Sequence, residues 1–199
     1  MALAAAASER ALPDAARDGD YTTVARLLAD PRTNPAAYCN QAVWNASRNG
    51  HDGVVALLLT DPRVDPSDRK NAAVRYAAEN GHDGVVALLL TDPRVDPSDR
   101  SNVAVRYAAE NGHDKVVALL LADPRVDPSD GGNVAVRYAA VRYAAENGHD
   151  KVVALLLADP RVDPSDGGNV AVRYAAVRYA AENGHDKVVA LLLADPRVD

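Results

Sequence analysis

Short apolar blocks recur along the chain, and the same polar residues separate them. In one period, Val103–Ala109 is followed by Glu110–Asp114 (Glu-Asn-Gly-His-Asp) and by a second block, Val116–Leu121. Both blocks have the length and composition of short helices, and Gly112 suits the left-handed conformation that ends a helix. Asp123–Pro124 ends the second helix, because the residue before proline is pushed out of the α region. Each period therefore predicts helix, tight turn, helix and extended loop.

The helix starts carry short polar residues. Asn102 precedes the first helix and Asp114 precedes the second, so we expect each side chain to cap its helix. After the second helix, Arg125–Val126 is predicted to run extended into a type I turn over Asp127–Asp130. Each helix has only about two turns, which is too short to persist alone in water.

The period repeats along the whole chain. The glycines Gly19, Gly50, Gly81 and Gly112 are 31 residues apart, and Gly112, Gly148 and Gly184 are 36 apart. Such a period predicts stacked units that bury their apolar faces only against neighbouring units. The predicted units span residues 8–35, 36–66, 67–97, 98–128, 129–164 and 165–199.

These residues resemble a known repeat. Val103–His113 resembles the first helix and Gly-His corner of the ankyrin repeat, and Val116–Leu121 resembles its second helix. The exit Asp123–Pro128 is similar to that of a subtype found in large ankyrin arrays. Val103–Ala104 departs from the usual Thr-Pro opening. The resemblance implies an all-α, ankyrin-type solenoid of six helix-turn-helix units with short extended loops.

The last two units contain an inserted copy of Val-Arg-Tyr-Ala-Ala, giving Val136–Ala145 and Val172–Ala181. We therefore expect a lengthened first helix in both units. Five residues advance a helix by about 140° beyond a full turn, so the two copies cannot share one buried face. Because the copies are identical, a slipped register is an open alternative. The copies expected in normal register are Val141–Glu146 and Val177–Glu182, with Asn133–Ala140 and Asn169–Ala176 extending outward and exposing Tyr138 and Tyr174.

The two ends of the array differ. The first unit has Thr23 and Arg26 where a later unit has Val116 and Leu119, so we expect an N-terminal cap. The last unit repeats the interior helix unchanged at Val188–Leu193. We therefore expect an uncapped apolar C-terminal face, through which the chain could self-associate.

The candidate binding face lies on the first helices. Tyr, Glu and Asn recur at positions i, i+3 and i+4, which share one helix face. The resemblance implies that this face lines a concave groove that, with the loop tips, contacts a polypeptide partner. The open alternative is that the tyrosine rings pack between neighbouring helices and only their hydroxyls are wet. The candidate residues are Tyr76, Glu79, Asn80, Tyr107, Glu110, Asn111, Tyr143, Glu146, Asn147, Tyr179, Glu182 and Asn183.

The second unit differs from the others on this face. It carries Asn45, Arg48 and Asn49, together with Trp44, the only tryptophan. Trp44 and Arg48 are therefore candidates for partner specificity. The alternative is that Trp44 fills space beside the cap. Elsewhere the glutamates make the face acidic, which favours basic partner segments.

Catalytic and metal sites are not expected. A His-Asp pair recurs at each helix corner, as at His113, but adjacent residues do not converge on one ion. By resemblance, the histidine binds loop backbone and the aspartate caps the second helix. The loops such as Asp61–Asp68 contain two prolines and an arginine, which work against calcium binding. No nucleophile elbow or phosphate-binding loop is found, so we expect no enzyme activity, cofactor or metal.

The remaining composition limits the partner and the compartment. The formal net charge is −6 and arginines alternate with carboxylates, so no basic stripe for nucleic acid is expected. No apolar run reaches the ~20 residues that span a membrane, and no basic leader precedes the alanine-rich start. Cys39 is the only cysteine, which fits a reducing compartment. We expect an intracellular, cytoplasmic or nuclear, non-catalytic scaffold that binds a protein.

Overall fold

The computed structural model describes residues 2–126, 139–162 and 170–196, with side chains from residues 10, 140 and 176 onward in these ranges. The described residues form helices and loops without strands, which confirms the predicted all-α class of helix pairs. In chain order the helices are α1 Ala2–Asp18, α2 Tyr21–Leu28, α3 Ala37–Arg48, α4 Asp52–Leu59, α5 Asp68–Glu79, α6 Asp83–Leu90, α7 Asp99–Glu110, α8 Asp114–Ala122, α9 Ala139–Glu146, α10 Asp150–Ala158, α11 Val170–Glu182 and α12 Asp186–Ala194.

The helices form two compact bodies, residues 1–97 and 98–199. In the first body, α3 packs between α1 and α5, and α4 packs between α2 and α6. In the second body, α9 packs between α7 and α11, and α10 packs between α8 and α12. Within each body, first helices therefore stack on first helices and second helices on second helices.

The core of each unit combines small and large apolar residues. On α5, Ala77 and Ala78 are fully buried, and their small side chains let neighbouring first helices approach closely. On α6, Val85, Val86 and Leu89 are fully buried. This Val-Val-x-x-Leu pattern removes large apolar side chains from water, which favours the stacked arrangement.

A left-handed turn opens the first helices α3, α5 and α7. Three consecutive residues in each have φ between 54° and 59°. The third residue is always asparagine, which tolerates this conformation better than most residues. Each asparagine also holds the loop at the end of its own unit: Asn40 Oδ1 accepts from Asp65 N at 2.8 Å, and Asn71 Oδ1 accepts from Asp96 N at 2.8 Å.

This turn corrects the prediction that Asn102 caps its own helix. Asn102 is buried and has φ 59°, and it is the third residue of the left-handed turn in α7. The capping prediction failed because a short polar residue before an apolar block has the same sequence signature in both conformations. The side chain of the equivalent Asn71 binds the backbone of the following loop instead.

The second helices begin one residue earlier than predicted. His113 is the N-cap of α8 and Asp114 is its first helical residue, so the prediction that Asp114 is the cap is wrong. A carboxylate in the first turn is still favourable, because the N-terminus of a helix carries partial positive charge. At the other end, Asp123 is extended with ψ 121°, as the following proline predicts.

The inserted copies fit the array in the predicted way where they are described. α11 runs without interruption through Val172–Ala181 and has 13 residues. On α9, Ala144 and Ala145 are fully buried, as are the equivalent Ala108 and Ala109 on α7. The copy next to the corner therefore holds the normal register. Tyr138, and the side chain of Tyr174, lie outside the described residues.

The end units show different surfaces. α1 begins at Ala2 and contains Pro13. Arg26 is exposed and Thr23 is half-buried, as expected for a cap. On α12, Leu192 is buried but Leu193 is 66% exposed. Self-association through this face stays a prediction.

Candidate functional site

The histidine corners join neighbouring units. His51 Nε2–H donates to Arg17 O at 2.9 Å, and His82 Nε2–H donates to Arg48 O at 3.0 Å. In the second body, His185 bonds Glu146 O in the same way at 3.0 Å. Each of these histidines thus binds a carbonyl near the end of the preceding first helix. The resemblance implied a bond to loop backbone; the acceptor is instead a carbonyl in the last turn of a helix, and the bond crosses from one unit to the next.

The corner glycines allow this contact. Gly148 has φ +76°, and a Cβ built there would lie 2.6 Å from His185 Nδ1. A side chain at this position would therefore push the imidazole away from its carbonyl partner. No cluster of three potential metal ligands (His, Cys, Asp or Glu) occurs within the parts of the chain that the structure describes.

The loop arginines form a second connection between units. Arg161 makes a two-pronged contact with Asp159, through Nε at 2.9 Å and Nη2 at 2.6 Å. Its Nη1 donates to Val126 O at 2.7 Å, in the preceding loop. The hydrogen bond and charge of Arg161 lower the pKa of Asp159 against the opposing effect of burial. The same Arg–Asp arrangement occurs at Asp30, Asp61, Asp92 and Asp123, and Arg32 lowers the pKa of Asp30 to about 2.

The predicted tyrosine face is half-buried rather than core. Tyr76, Tyr107, Tyr143 and Tyr179 all occupy this intermediate environment. Each ring therefore packs partly against its neighbours and partly faces water. This environment lies between an open binding face and rings packed between helices with only their hydroxyls wet. Of the glutamates, Glu79, Glu110 and Glu146 are half-buried, and Glu182 is exposed.

The asparagines of the face also have a structural role. Asn80 Nδ2 donates to Tyr76 O at 2.8 Å, which satisfies a carbonyl at the end of α5. Asn111 and Asn147 do the same on α7 and α9, at 2.9 and 3.0 Å. Asn147 Nδ2 also lies 3.2 Å from Glu110 O, so the structure brings residues of adjacent units together. All four asparagines, including Asn183, are exposed.

Arginines stack on the tyrosines, a contact that the sequence analysis missed. Arg142 Cζ lies 4.3 Å from the ring centroid of Tyr143, and Arg178 Cζ lies 4.9 Å from that of Tyr179. Arg178 also pairs with Glu182 at 3.2 Å. The repeated Arg-Tyr dipeptide was the available signal, but adjacent helix residues are not expected to face each other.

The second and third units together carry a denser cluster. The Trp44 and Tyr76 rings are 6.0 Å apart and tilted by 46°. Arg48 and Arg75 lie over Tyr76, at 5.4 and 5.3 Å, and Arg69 lies over Trp44 at 5.5 Å. Trp44 is half-buried, so it is neither a core residue nor a fully exposed one.

Asn45 does not belong to the exposed face. It is buried, and its Nδ2 donates to Pro13 O at 3.0 Å, which fixes α3 against α1. Its helical position gave no sign of this role, because the partner is 32 residues away in the chain. Asn49 Nδ2 donates to Asn45 O at 2.8 Å, as the asparagines of later units do at their own helix ends.

The chain is similar to known repeat proteins. The family model of ankyrin repeats (3 copies) matches residues 12–101, 44–130 and 105–199. Among solved structures, an ankyrin repeat family protein from Legionella pneumophila superposes with a TM-score of 0.51 at 21% identity, covering 96% of this chain and 70% of that one. No curated protein matches the chain in sequence. No described helix is both long and apolar enough to cross a membrane.

Proposed function

Because the chain belongs to the ankyrin repeat family, we propose that it is a non-catalytic scaffold that binds a polypeptide partner on its first-helix face and loop tips. Ankyrin repeats are generally protein–protein interaction modules and are generally not catalytic. The proposal specifies which residues of this chain make the contact. They are the tyrosine face of the sequence analysis, together with Trp44 and Arg48.

The half-buried tyrosines are the observation that carries the proposal. Tyr107, Tyr143 and Tyr179 stand at the same position of successive first helices in the second body. A half-buried tyrosine is already partly ordered by its neighbours, so it loses little conformational freedom when a partner covers it. Tyrosine also offers both apolar area and a polar hydroxyl, which is why it is enriched at interfaces.

The charges of the second body indicate the chemistry of its partner. Glu110, Glu146 and Glu182 lie on the same face as the tyrosines, and Glu182 is exposed. A basic partner segment would find carboxylates beside each ring, which raises the association rate and disfavours acidic competitors. Because the three units repeat the same residues, a partner with regularly spaced basic residues fits best.

The test is an affinity capture with the whole chain as bait and mass spectrometry of the captured proteins. We expect Tyr107→Ala and Tyr143→Ala each to reduce the yield of the same partner. Tyr21→Ala is the matched control, because Tyr21 is 53% exposed but lies on a second helix. Circular dichroism of each variant checks that the fold is retained. Equal capture by all variants would contradict the proposal.

A further inference from the structure

We propose that the first body carries a binding surface for an acidic polypeptide segment, opposite in preference to the second body. The surface is the cationic cluster: Trp44, Arg48, Arg69, Arg75 and Tyr76. The inference rests on the proposed function in using a first-helix face. The inference adds that the partner segment of the first body is negatively charged, and it identifies the residues that select this segment.

The two aromatic rings hold the arginines in place. Both Arg48 and Arg75 lie within 5.4 Å of the centroid of Tyr76, and Arg69 lies 5.5 Å from that of Trp44. A guanidinium on a ring face keeps its N–H edge available to a carboxylate, because stacking uses only the plane of the group. The rings thus orient three donor edges before any partner arrives.

These arginines are not neutralised within the part of the chain that the structure describes. Arg48 and Arg69 are exposed and have no side-chain hydrogen bond or ion pair there. Arg75 is half-buried, and its Nε donates to a neutral partner, Lys70 O, at 3.1 Å. The Lys70 side chain adds a further exposed cation nearby. The loop arginines differ, because Arg63 makes a 2.6 Å pair with Asp61.

Two carboxylates lie near the cluster in sequence. Asp68 already accepts Asn40 Nδ2 at 2.9 Å and Arg69 N at 2.6 Å. Glu79 follows Arg75 by one helical turn. Among these neighbouring residues four cations outnumber two carboxylates, although the whole chain has a net charge of −6.

Arg48 places a positive charge where the later units have a negative one. One or more periods further along the chain, its equivalents are Glu79, Glu110, Glu146 and Glu182. In the last unit, this glutamate pairs with Arg178 at 3.2 Å. In the second unit an arginine replaces the carboxylate, so an acidic segment meets attraction where the second body would repel it.

A polypeptide fits this surface better than a nucleic acid does. The charged groups of the cluster are confined to two neighbouring first helices, α3 and α5, and the protein as a whole is acidic. Nucleic-acid binding draws its affinity from many phosphate contacts, and a net negative molecule would oppose that approach. A short run of glutamates or aspartates needs only the local donors.

Trp44 makes the test direct, because it is the only tryptophan and reports on this surface alone. The whole chain is titrated with a short glutamate-rich peptide at low salt, and tryptophan emission is followed. We expect saturable binding that weakens as salt is added. The glutamine and lysine versions of the peptide are expected to produce no saturable change.

Two variants assign the binding to the cluster. Arg48→Glu restores the residue of the later units, so it is expected to fold, and it should weaken binding about tenfold or more. Arg69→Asn keeps a residue that tolerates the left-handed turn and should weaken binding by a smaller factor. Lys151→Glu is the matched control, because it makes the same charge change at an exposed site on α10 and should leave binding unchanged.

Each other outcome overturns the inference. Absence of a saturable emission change, or equal weakening by Arg48→Glu and Lys151→Glu, would show that the cluster does not select acidic segments. Tighter, Arg48-dependent binding of a single-stranded oligonucleotide would replace the polypeptide with a nucleic acid. The Tyr107→Ala and Tyr143→Ala captures probe the second body, so the proposed function can fail or survive independently of this result.

Discussion

The contact between a corner glycine and the next histidine can be tested with Gly148→Ala. Gly148 has φ +76°, a conformation that costs alanine about 1–2 kcal/mol. The new Cβ would also lie 2.6 Å from His185 Nδ1, so the imidazole must move. The 3.0 Å bond to Glu146 O would then be lost, at about 0.5–1.5 kcal/mol. We expect a total loss of about 1.5–3.5 kcal/mol in the free energy of unfolding.

Gly184→Ala is the matched control. Gly184 has φ +72°, but a Cβ there meets no described atom within 4 Å. It should therefore cost only the backbone term of about 1–2 kcal/mol. Urea unfolding followed by far-UV circular dichroism measures both variants.

A double-mutant cycle separates the two terms. In a His185→Ala background there is no imidazole to displace, so Gly148→Ala should cost no more than the backbone term. If Gly148→Ala lowers the free energy of unfolding equally with and without His185, the contact between Gly148 and His185 contributes nothing to stability and the reasoning is refuted.

Three further predictions concern packing, pH and the left-handed turn. Leu120→Ala should lower the free energy of unfolding by about 2–5 kcal/mol, because Leu120 is fully buried. Leu193→Ala, at a 66% exposed site, should change this free energy by about 0.5 kcal/mol or less. Urea unfolding measures both variants. Arg161 lowers the pKa of Asp159, so this pair stabilises the fold above about pH 4 and the contribution is lost as the pH falls through the lowered pKa. Asp159→Asn should therefore flatten the acid limb of a stability–pH curve, and an unchanged limb would contradict this. Asn71→Ala should destabilise by about 1–3 kcal/mol in the same unfolding assay, because alanine at φ 55° loses both the bond to the next loop and the tolerance for this conformation.

The helix pairs were predictable because their signals are local and repeated. The Val116–Leu121 block, the corner Gly112 and the Asp123–Pro124 stop each act within a few residues, and each recurs unit after unit. The structure places α8 and its boundaries within one residue of the prediction at each end. Repetition also made the family recognisable.

The left-handed turns were not predictable from the same signals. Arg69 and Lys70 have no preference for positive φ, and only Asn71 hinted at it. The turn is stabilised by a bond from Asn71 to a loop 25 residues later, which no local pattern encodes. Tertiary contacts therefore override the helical capping that Asn102 suggested.

The candidate site was predictable in position but not in chemistry. The spacing of Tyr76 and Glu79 indicates a shared face, and the unusual Trp44 and Arg48 marked the second unit. The stacking of Arg48 on Tyr76 depends on the distance between neighbouring helices, and the spacing of repeats along the sequence does not give this distance. For the same reason, the acidic face expected outside the second unit did not reveal the cationic cluster.

The dependence of each helix pair on its neighbours can be measured on one unit alone. In the structure, Val85, Val86 and Leu89 of α6 are fully buried, and the peptide 67–97 on its own would expose them to water. Helices of this length do not persist in isolation. Far-UV circular dichroism of the peptide 67–97 should therefore show a disordered chain, whereas residues 68–79 and 83–90 are helical within the protein. A peptide as helical on its own as α5 and α6 are in the structure would contradict the account.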